Sequence, residues 1–287
     1  MLRVGAIPFH PGLINCFSYL AGTFYASVRV CVLGSGSSGN CTLVATSKVS
    51  VLTDLGFGPR SLLRRLRAAD LVNQRIDAIF LTHGHFDHIS GVVGMAAQWE
   101  IPVFLTPGTL HELRDLDLLP RVEVLQAGVP VILADLSVTP FAISHDAAEP
   151  VGFRFEAEGV AGALATDLGE ITPAVLPHLA KCDWLILESN HDENLVRLGS
   201  YPLPLKQRLL SPVGHLSNHA VAGFLSRQFD ARAEHIFLAH LSRNNNTPAL
   251  ALESAQAALD QRFGNVCSPA IALHLTDQVK PSIVLDL

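Results

Sequence analysis

The sequence predicts an α/β protein in which two β-sheets pack together with helices outside. Three observations carry this reading. Short apolar runs of strand length recur from Val28 onward. The middle of the chain, roughly Val122 to Asp167, is β-rich. Stretches with helical spacing lie before and after that middle. With 287 residues, 49% of them apolar, the chain can bury one large core or two small ones.

Taken in order, "VRVCVLG", "CTLVAT" and "SVLTDLG" read as strands, rich in Val, Leu and Thr. "SLLRRLRAADL" spaces its leucines as a helix does. "IDAIFLT" is a buried strand, "HISGVVGMAAQWE" a helix despite its glycines, and "PVFLT" a strand again. "VEVLQ", "VPVILADLSVTPFAISH" and "VGFRFEAEGVAGALATD" form the β-rich middle. "CDWLILES" and "HIFLAHL" are strands, "NHAVAGFLSRQF" and "PALALESAQAALDQRF" helices, and "AIALHL" and "SIVLDL" the closing strands. No linker, solenoid repeat or low-complexity tract divides residues 28–287. "GSGSSG" at Gly34–Gly39 fits a dinucleotide-binding fingerprint, but "NCTLVAT" follows where that site needs a helix. A tight glycine turn between two strands is expected there instead.

The chemistry concentrates in "THGHFDHISG", Thr82 to Gly91. It sits at a strand-to-helix turn, where open α/β folds place ligands. His83 and His85, two apart in an extended turn, point the same way. Asp87 and His88 then open the helix. Imidazole and carboxylate without thiolate suit zinc, manganese or iron. Four such groups crowd a single ion that must keep an open position, so two ions fit better. A polar turn with Asp87 as an ordinary cap is the bland alternative.

A two-metal site needs distant partners. His145, Asp167 and His240 each end an apolar run. The expected arithmetic is His83, His85 and His145 on one ion, Asp87, His88 and His240 on the other, and Asp167 between them. Two cations would lower the pKa of a shared water and yield a hydroxide nucleophile.

Net charge is −6, so the chain has no global attraction for polyanions, and a nucleic-acid site must be a local patch. Arg60, Arg64, Arg65 and Arg67 crowd one short helix; they are either a solvated face or a track for a phosphate backbone. The five cysteines lack a C-x-x-C and read as free thiols in a cytoplasmic, reducing compartment. No charged residue lies between Arg3 and Arg29, but Pro8, His10, Pro11 and Asn15 interrupt the apolar run. Residues 1–27 are expected to be a poorly ordered extension rather than an anchor, with no stable membrane association.

H-x-H-x-D-H with spaced His, Asp and His resembles the metallo-β-lactamase fold. "LGSGSSGNC", "ISHDAAEPVGFR", "ATDLG", "ESNHDENLVRLGSYPLPLKQRL", "GHLSN" and "LAHLSRNNNTP" narrow the resemblance to its WalJ/YycJ-like branch, over Val28 to Leu287. The resemblance implies an αββα sandwich of two packed mixed β-sheets with outer helices, and a dinuclear site at one edge. It also implies 5′ to 3′ exonuclease activity on double-stranded DNA, with DNA as substrate. Asp54 matches the acidic residue that supports such a site without binding metal. By analogy with the phosphodiesterase branch that includes transfer-RNA-processing ribonuclease Z, His215 stabilises the scissile phosphate or protonates the leaving oxygen. Asp87 and His215 are thus the catalytic candidates. His191 and Asp192 are expected to orient a ligand, and Asn245 and Asn246 to donate to phosphate oxygens or simply to shape a loop. The alternatives are a small thioester or lactone hydrolase, and a non-catalytic regulator on the same fold.

Overall fold

A computed structural model describes residues 28–264 and 270–287. The extension expected over residues 1–27, and Cys267, lie outside the described residues. Cys31, Cys41 and Cys182 are buried free thiols.

The first half builds one sheet. Its elements are β1 (Arg29–Gly34), β2 (Cys41–Ala45), β3 (Ser50–Thr53), α1 (Pro59–Ala68), β4 (Ala78–Phe80), α2 (Phe86–Ile89), α3 (Val92–Trp99), β5 (Val103–Leu105), α4 (Pro107–Glu112) and β6 (Val122–Val124). The second half builds the other. It contains β7 (Val131–Leu133), β8 (Leu136–Ala142), β9 (Val151–Ala157), β10 (Val160–Ala165), α5 (Leu176–Leu179), β11 (Trp184–Glu188), α6 (Glu193–Leu198), α7 (Leu203–Leu209), α8 (Asn218–Arg227), β12 (His235–Ala239), α9 (Pro248–Phe263) and β13 (Ala272–Leu275). The last strand, β14 (Leu285–Asp286), crosses back to pair with β1. Strand order is β14-β1-β2-β3-β4-β5-β6 in one sheet and β13-β12-β11-β10-β9-β8-β7 in the other.

Between the sheets lies an aromatic core of Phe80, Phe104, Phe153, Phe155, Trp184 and Phe237. Phe80 stacks on Phe104 at 4.5 Å and meets Phe153 edge-on at 5.6 Å. Each such side chain, buried, contributes about 1.5–3 kcal/mol. α1 and α3 cover the outer face of the first sheet through Leu62, Leu66, Met95 and Ala96. α8 and α9 cover the second through Val221, Phe224, Ala255 and Leu259. The layers are therefore α, β, β, α, as the sequence suggested.

Both sheets are mixed, and this positions the site. β3 to β6 run parallel, as do β10 to β13. β8 and β10 are both antiparallel to β9, so β8 leaves the sheet at the same edge as β10, β11 and β12. Chain segments that follow those strands meet at one rim.

Local structure departs from the sequence reading in places. The single helix expected after the cluster is two, broken at Ser90–Gly91. A side chain at Gly91 would lie 2.2 Å from the Phe57 carbonyl, and its N–H donates to Leu55 O, so the chain must turn there. The short helices α4 to α7 span too few turns to show periodicity. "GSGSSG" is a turn between antiparallel β1 and β2, with Gly36 at φ 125° and Gly39 at φ 126°. Of the four arginines near α1, Arg65 points inward. It donates to Leu33 O at 2.7 Å and Gln278 O at 2.8 Å and stacks over Phe57, which leaves Arg60, Arg64 and Arg67 outside. No helix among the described residues is long and apolar enough to cross a membrane.

Candidate metal centre

β4 ends at Phe80, and Leu81–Thr82 carry the chain out of the sheet to His83. His83 and His85 face His145, which follows β8; the three offer ligand atoms within 4.8 Å of one another. Asp87, His88 and His240 form a second group by the same measure. Asp167 lies between them: its Oδ2 is 3.2 Å from His88 Nε2, and its Oδ1 is 3.5 Å from His240 Nε2 and 4.0 Å from His145 Nε2. All seven expected ligands are thus brought together.

Four of the five candidate histidines spend one ring nitrogen on an outer acceptor; the exception is His85, whose Nδ1 lies 3.4 Å from His145 Nε2 within the cluster. His88 Nδ1 donates to Asp54 Oδ2 at 2.8 Å, and His240 Nδ1 to Glu188 Oε1 at 3.0 Å. His145 Nδ1 donates to Gly214 O at 3.1 Å. Thr82 Oγ1 donates to Asp54, so its lone pair meets His83 Nδ1 at 3.0 Å. In all four, Nε2 keeps a lone pair. This is how protein metal sites fix tautomer and ring orientation. Asp54 therefore makes the supporting contact expected of it.

Burial tests whether a cation fits. His83 Nε2, His240 Nε2 and Asp167 Oδ2 are buried and have no hydrogen-bond partner. Buried polar atoms left so cost about 1–3 kcal/mol each. Lone-pair nitrogens and a carboxylate oxygen, drawn to one place and unpaired, suit a divalent cation. Three site residues, Asp54, Asp167 and His240, also sit at positive φ (59°, 55° and 56°) just beyond strand ends. Such backbone is strained for a non-glycine residue and persists where its surroundings hold it.

Without metal, protons balance the charges. Burial disfavours a charged His88, yet Asp54 and Asp167 outweigh it and raise its pKa to about 10. Burial likewise opposes charge on His240, but the Asp167, Asp87 and Glu188 carboxylates around it hold its pKa well above the usual value. Burial would raise Asp167, but His240 and His88 keep it well below the ordinary carboxylate range. His83 is pushed well below its usual value by burial, with His88 adding repulsion.

His215 stands beside this cluster. Its Nδ1 donates to Glu188 Oε1 at 2.8 Å and lies 3.6 Å from Asp167 Oδ1. Burial opposes its charge, but the Glu188 carboxylate more than compensates, and its pKa is raised. The cap of α8 is Ser217, whose Oγ accepts from Ala220 N, so the helix is capped without His215.

Glu188 escaped the sequence reading. It is fully buried at the end of β11. Oε1 takes both His215 and His240, and Oε2 accepts from Leu168 N at 2.9 Å and Leu216 N at 3.2 Å. Its one signal is an acid continuing the apolar run "WLILE". Asn190, also missed, donates to His240 O at 2.7 Å. The glycine turn contributes as well. Ser35 Oγ accepts from His240 N, and the Asn40 amide lies 3.3 Å from Asp87 Oδ2 and 2.9 Å from His88 Nε2.

Several expected contacts are made differently. Asp192 orients no ligand; its Oδ1 accepts from Leu195 N and caps α6. His191 is buried with Nδ1 3.4 Å from Asn190 Oδ1, so it reaches His240 only through Asn190. Asn246 has no donor left for a phosphate, since its amide holds Ser189 O, Asn190 O and Asn218 Oδ1. Asn245 lines a cleft beside His215 and His240.

Comparison with known proteins places this geometry. Residues 49–241 match the β-lactamase superfamily domain. The exodeoxyribonuclease YycJ of Bacillus anthracis is 32% identical over 254 residues, which cover 88% of this chain and 96% of that protein. The chain is a YycJ/WalJ-like member of the metallo-β-lactamase superfamily. The exodeoxyribonuclease WalJ of Streptococcus pneumoniae (strain D39) is 33% identical over 225 residues, covering 77% of this chain and 84% of that one. Among solved structures, zinc-bound PqqB from Methylobacterium extorquens superposes with a TM-score of 0.67 at 16% identity, over 90% of this chain and all of the other. That likeness concerns the fold. As a superfamily member carrying these His and Asp clusters, the chain is a metal-dependent hydrolase.

Proposed function

We propose that this hydrolase is a phosphodiesterase, a 5′ to 3′ exonuclease on double-stranded DNA. The observation that carries the reading is His215. It stands beside the candidate metal cluster, held by Glu188 through Nδ1, which favours its charged form, and it is only partly covered, so Nε2 is left for substrate. A thioester or lactone hydrolase has no need of that group. The names of the relatives above support DNA as substrate.

His83, His85 and His145 would hold one ion, and Asp87, His88 and His240 the other, with Asp167 between them. Zinc or manganese suits this donor set best, with iron third. When bound, such cations polarise a phosphoryl oxygen and acidify water. The chain's own residues do the rest. Asp54 and Glu188 keep His88 and His240 in the tautomer that presents Nε2. Glu188 holds His215 protonated and aimed, and His215 passes its Nε2 proton to the leaving oxygen. No candidate ligand is missing, which argues against a purely regulatory role. The buried free thiols are in keeping with a cytoplasmic setting.

The test is digestion of duplex DNA with manganese, zinc or chelator, beside His215→Ala. Metal-dependent release of nucleotides is expected, slowed about 10²- to 10⁴-fold in the variant with metal content unchanged. Loss of metal in the variant would make His215 a ligand. No DNA cleavage under any metal, with turnover of a thioester or lactone, would move the substrate to that class.

A further inference from the structure

A cleft of about 260 Å³ opens beside the cluster, on the side where His215 and His240 form its wall. Ser37, Tyr201, Leu209 and Arg243 are among its other lining residues. Its volume is just under the ~300 Å³ at which pockets for small organic ligands begin, so it takes one nucleotide unit rather than a run of them. Arg243 is exposed on its rim and has no carboxylate partner among the described residues. Tyr201 is half-buried, with its hydroxyl accepting from Asn244 Nδ2 at 2.6 Å. That bond joins the loop before α7 to the loop after β12 and steadies the cleft's far side.

Resting on the exonuclease reading, we propose that this cleft receives the 5′-terminal nucleotide and that Arg243 binds its 5′-phosphate. The argument is one of direction. A water oxygen attacks the phosphorus joining the first and second nucleotides. The new P–O bond forms as the bond to the first nucleotide's O3′ breaks. That oxygen leaves with the electron pair and takes a proton from His215 Nε2. The water's proton goes to solvent. The products are a 5′-mononucleotide with a free 3′-hydroxyl and a chain shortened by one, again 5′-phosphorylated. His215 must therefore lie on the leaving-group side, and the cleft it walls holds the leaving nucleotide. In a chain cut from its 5′ end, that nucleotide carries the terminal phosphomonoester, a dianion that a guanidinium binds through paired N–H donors. Tyr201 supplies a flat face for the sugar or base. A cleft one nucleotide long also enforces removal of single residues.

The test compares duplexes with 5′-phosphate and 5′-hydroxyl ends. The intact enzyme should prefer the phosphate by roughly ten- to a hundred-fold in kcat/KM, the range of a hydrogen-bonded charge pair. In Arg243→Ala that ratio should fall toward one, and in Arg243→Lys only in part. Calorimetry with deoxyadenosine 5′-monophosphate should show weaker binding in Arg243→Ala, whereas deoxyadenosine should bind both proteins alike. The proposal is overturned if the intact enzyme digests both ends equally, if Arg243→Ala keeps the full ratio, or if the first products are oligonucleotides. Those outcomes leave DNA hydrolysis intact. Failure of the exonuclease reading itself would appear as no DNA cleavage by the unaltered protein.

Discussion

Glu188→Gln tests the logic of the site most directly. The carboxylate accepts four hydrogen bonds, two on each oxygen: His215 and His240 on Oε1, and the N–H groups of Leu168 and Leu216 on Oε2. Glutamine keeps the shape but has only one acceptor oxygen. If the NH₂ faces Leu168 and Leu216, two buried backbone donors are stranded; if it faces His215 and His240, both must give up their Nδ1 protons. At about 1–3 kcal/mol per stranded donor, the first arrangement costs about 2–6 kcal/mol. A neutral amide escapes part of the desolvation penalty of a buried carboxylate, which favours the lower half of that range. Typical domain stability is ~5–15 kcal/mol, so the variant should still fold.

Two measurements check this. Urea unfolding in chelator should show a clearly lower midpoint with an unchanged slope. The pH profile of DNA hydrolysis should move too. Glu188 is what raises the His215 pKa against its burial, so the alkaline limb should shift to lower pH in the variant. A Gln variant with the parent's midpoint and the parent's alkaline limb would refute the claim that Glu188 holds both histidines.

Other consequences follow from the same contacts. Asp54→Asn removes the anion behind His88 and should weaken metal affinity about 10- to 100-fold, read by competition with a chromophoric chelator; unchanged affinity would mean that His88 needs no support. The metal-free protein should lose stability as pH rises. The folded pKa of His88, about 10, lies above its ordinary 6.5, so its contribution is whole below about 6.5 and is lost through about 10. His215 and His240 are raised in the same sense, whereas His83 and His145, lowered chiefly by burial, act on the acid side. Metal uptake near neutral pH should then release protons, seen as a calorimetric heat that varies with the buffer. A urea midpoint flat from pH 6 to 10 would contradict this.

Legibility in the sequence followed locality. The cluster His83, His85, Asp87 and His88 declares itself because four donors within six positions need no knowledge of tertiary structure. His145, Asp167 and His240 were legible because each ends a run that can only be a strand. Glu188 was not. In "ESNHDE" six polar residues follow an apolar run, and which of them turns inward depends on where the ladder stops. The structure continues pairing through Glu188, so its carboxylate stays under the site, and Asp192 is already past the rim and caps a helix. Arg65 failed for a similar reason: the other arginines of α1 face solvent, and only the helix phase over β1 shows that Arg65 joins Leu62 and Leu66 on the inner face.

The remaining point is why the site should hold its shape when so many of its groups repel. Two residues at its centre, Asp167 and His240, and one behind it, Asp54, take left-handed backbone. That strain is opposed by bonds that cross between the two sheets. Ser35, in the turn after β1, accepts from the backbone N–H of His240 after β12. Thr82, after β4, accepts at its carbonyl from Val151 N in β9 and donates to Asp54 after β3. Neither sheet carries a complete set of ligands, since the first supplies His83, His85, Asp87 and His88 and the second His145, Asp167 and His240. The two groups of candidate metal donors therefore exist only while the sheets are docked, and a cation that bound them would add its binding free energy to the docking of the sheets.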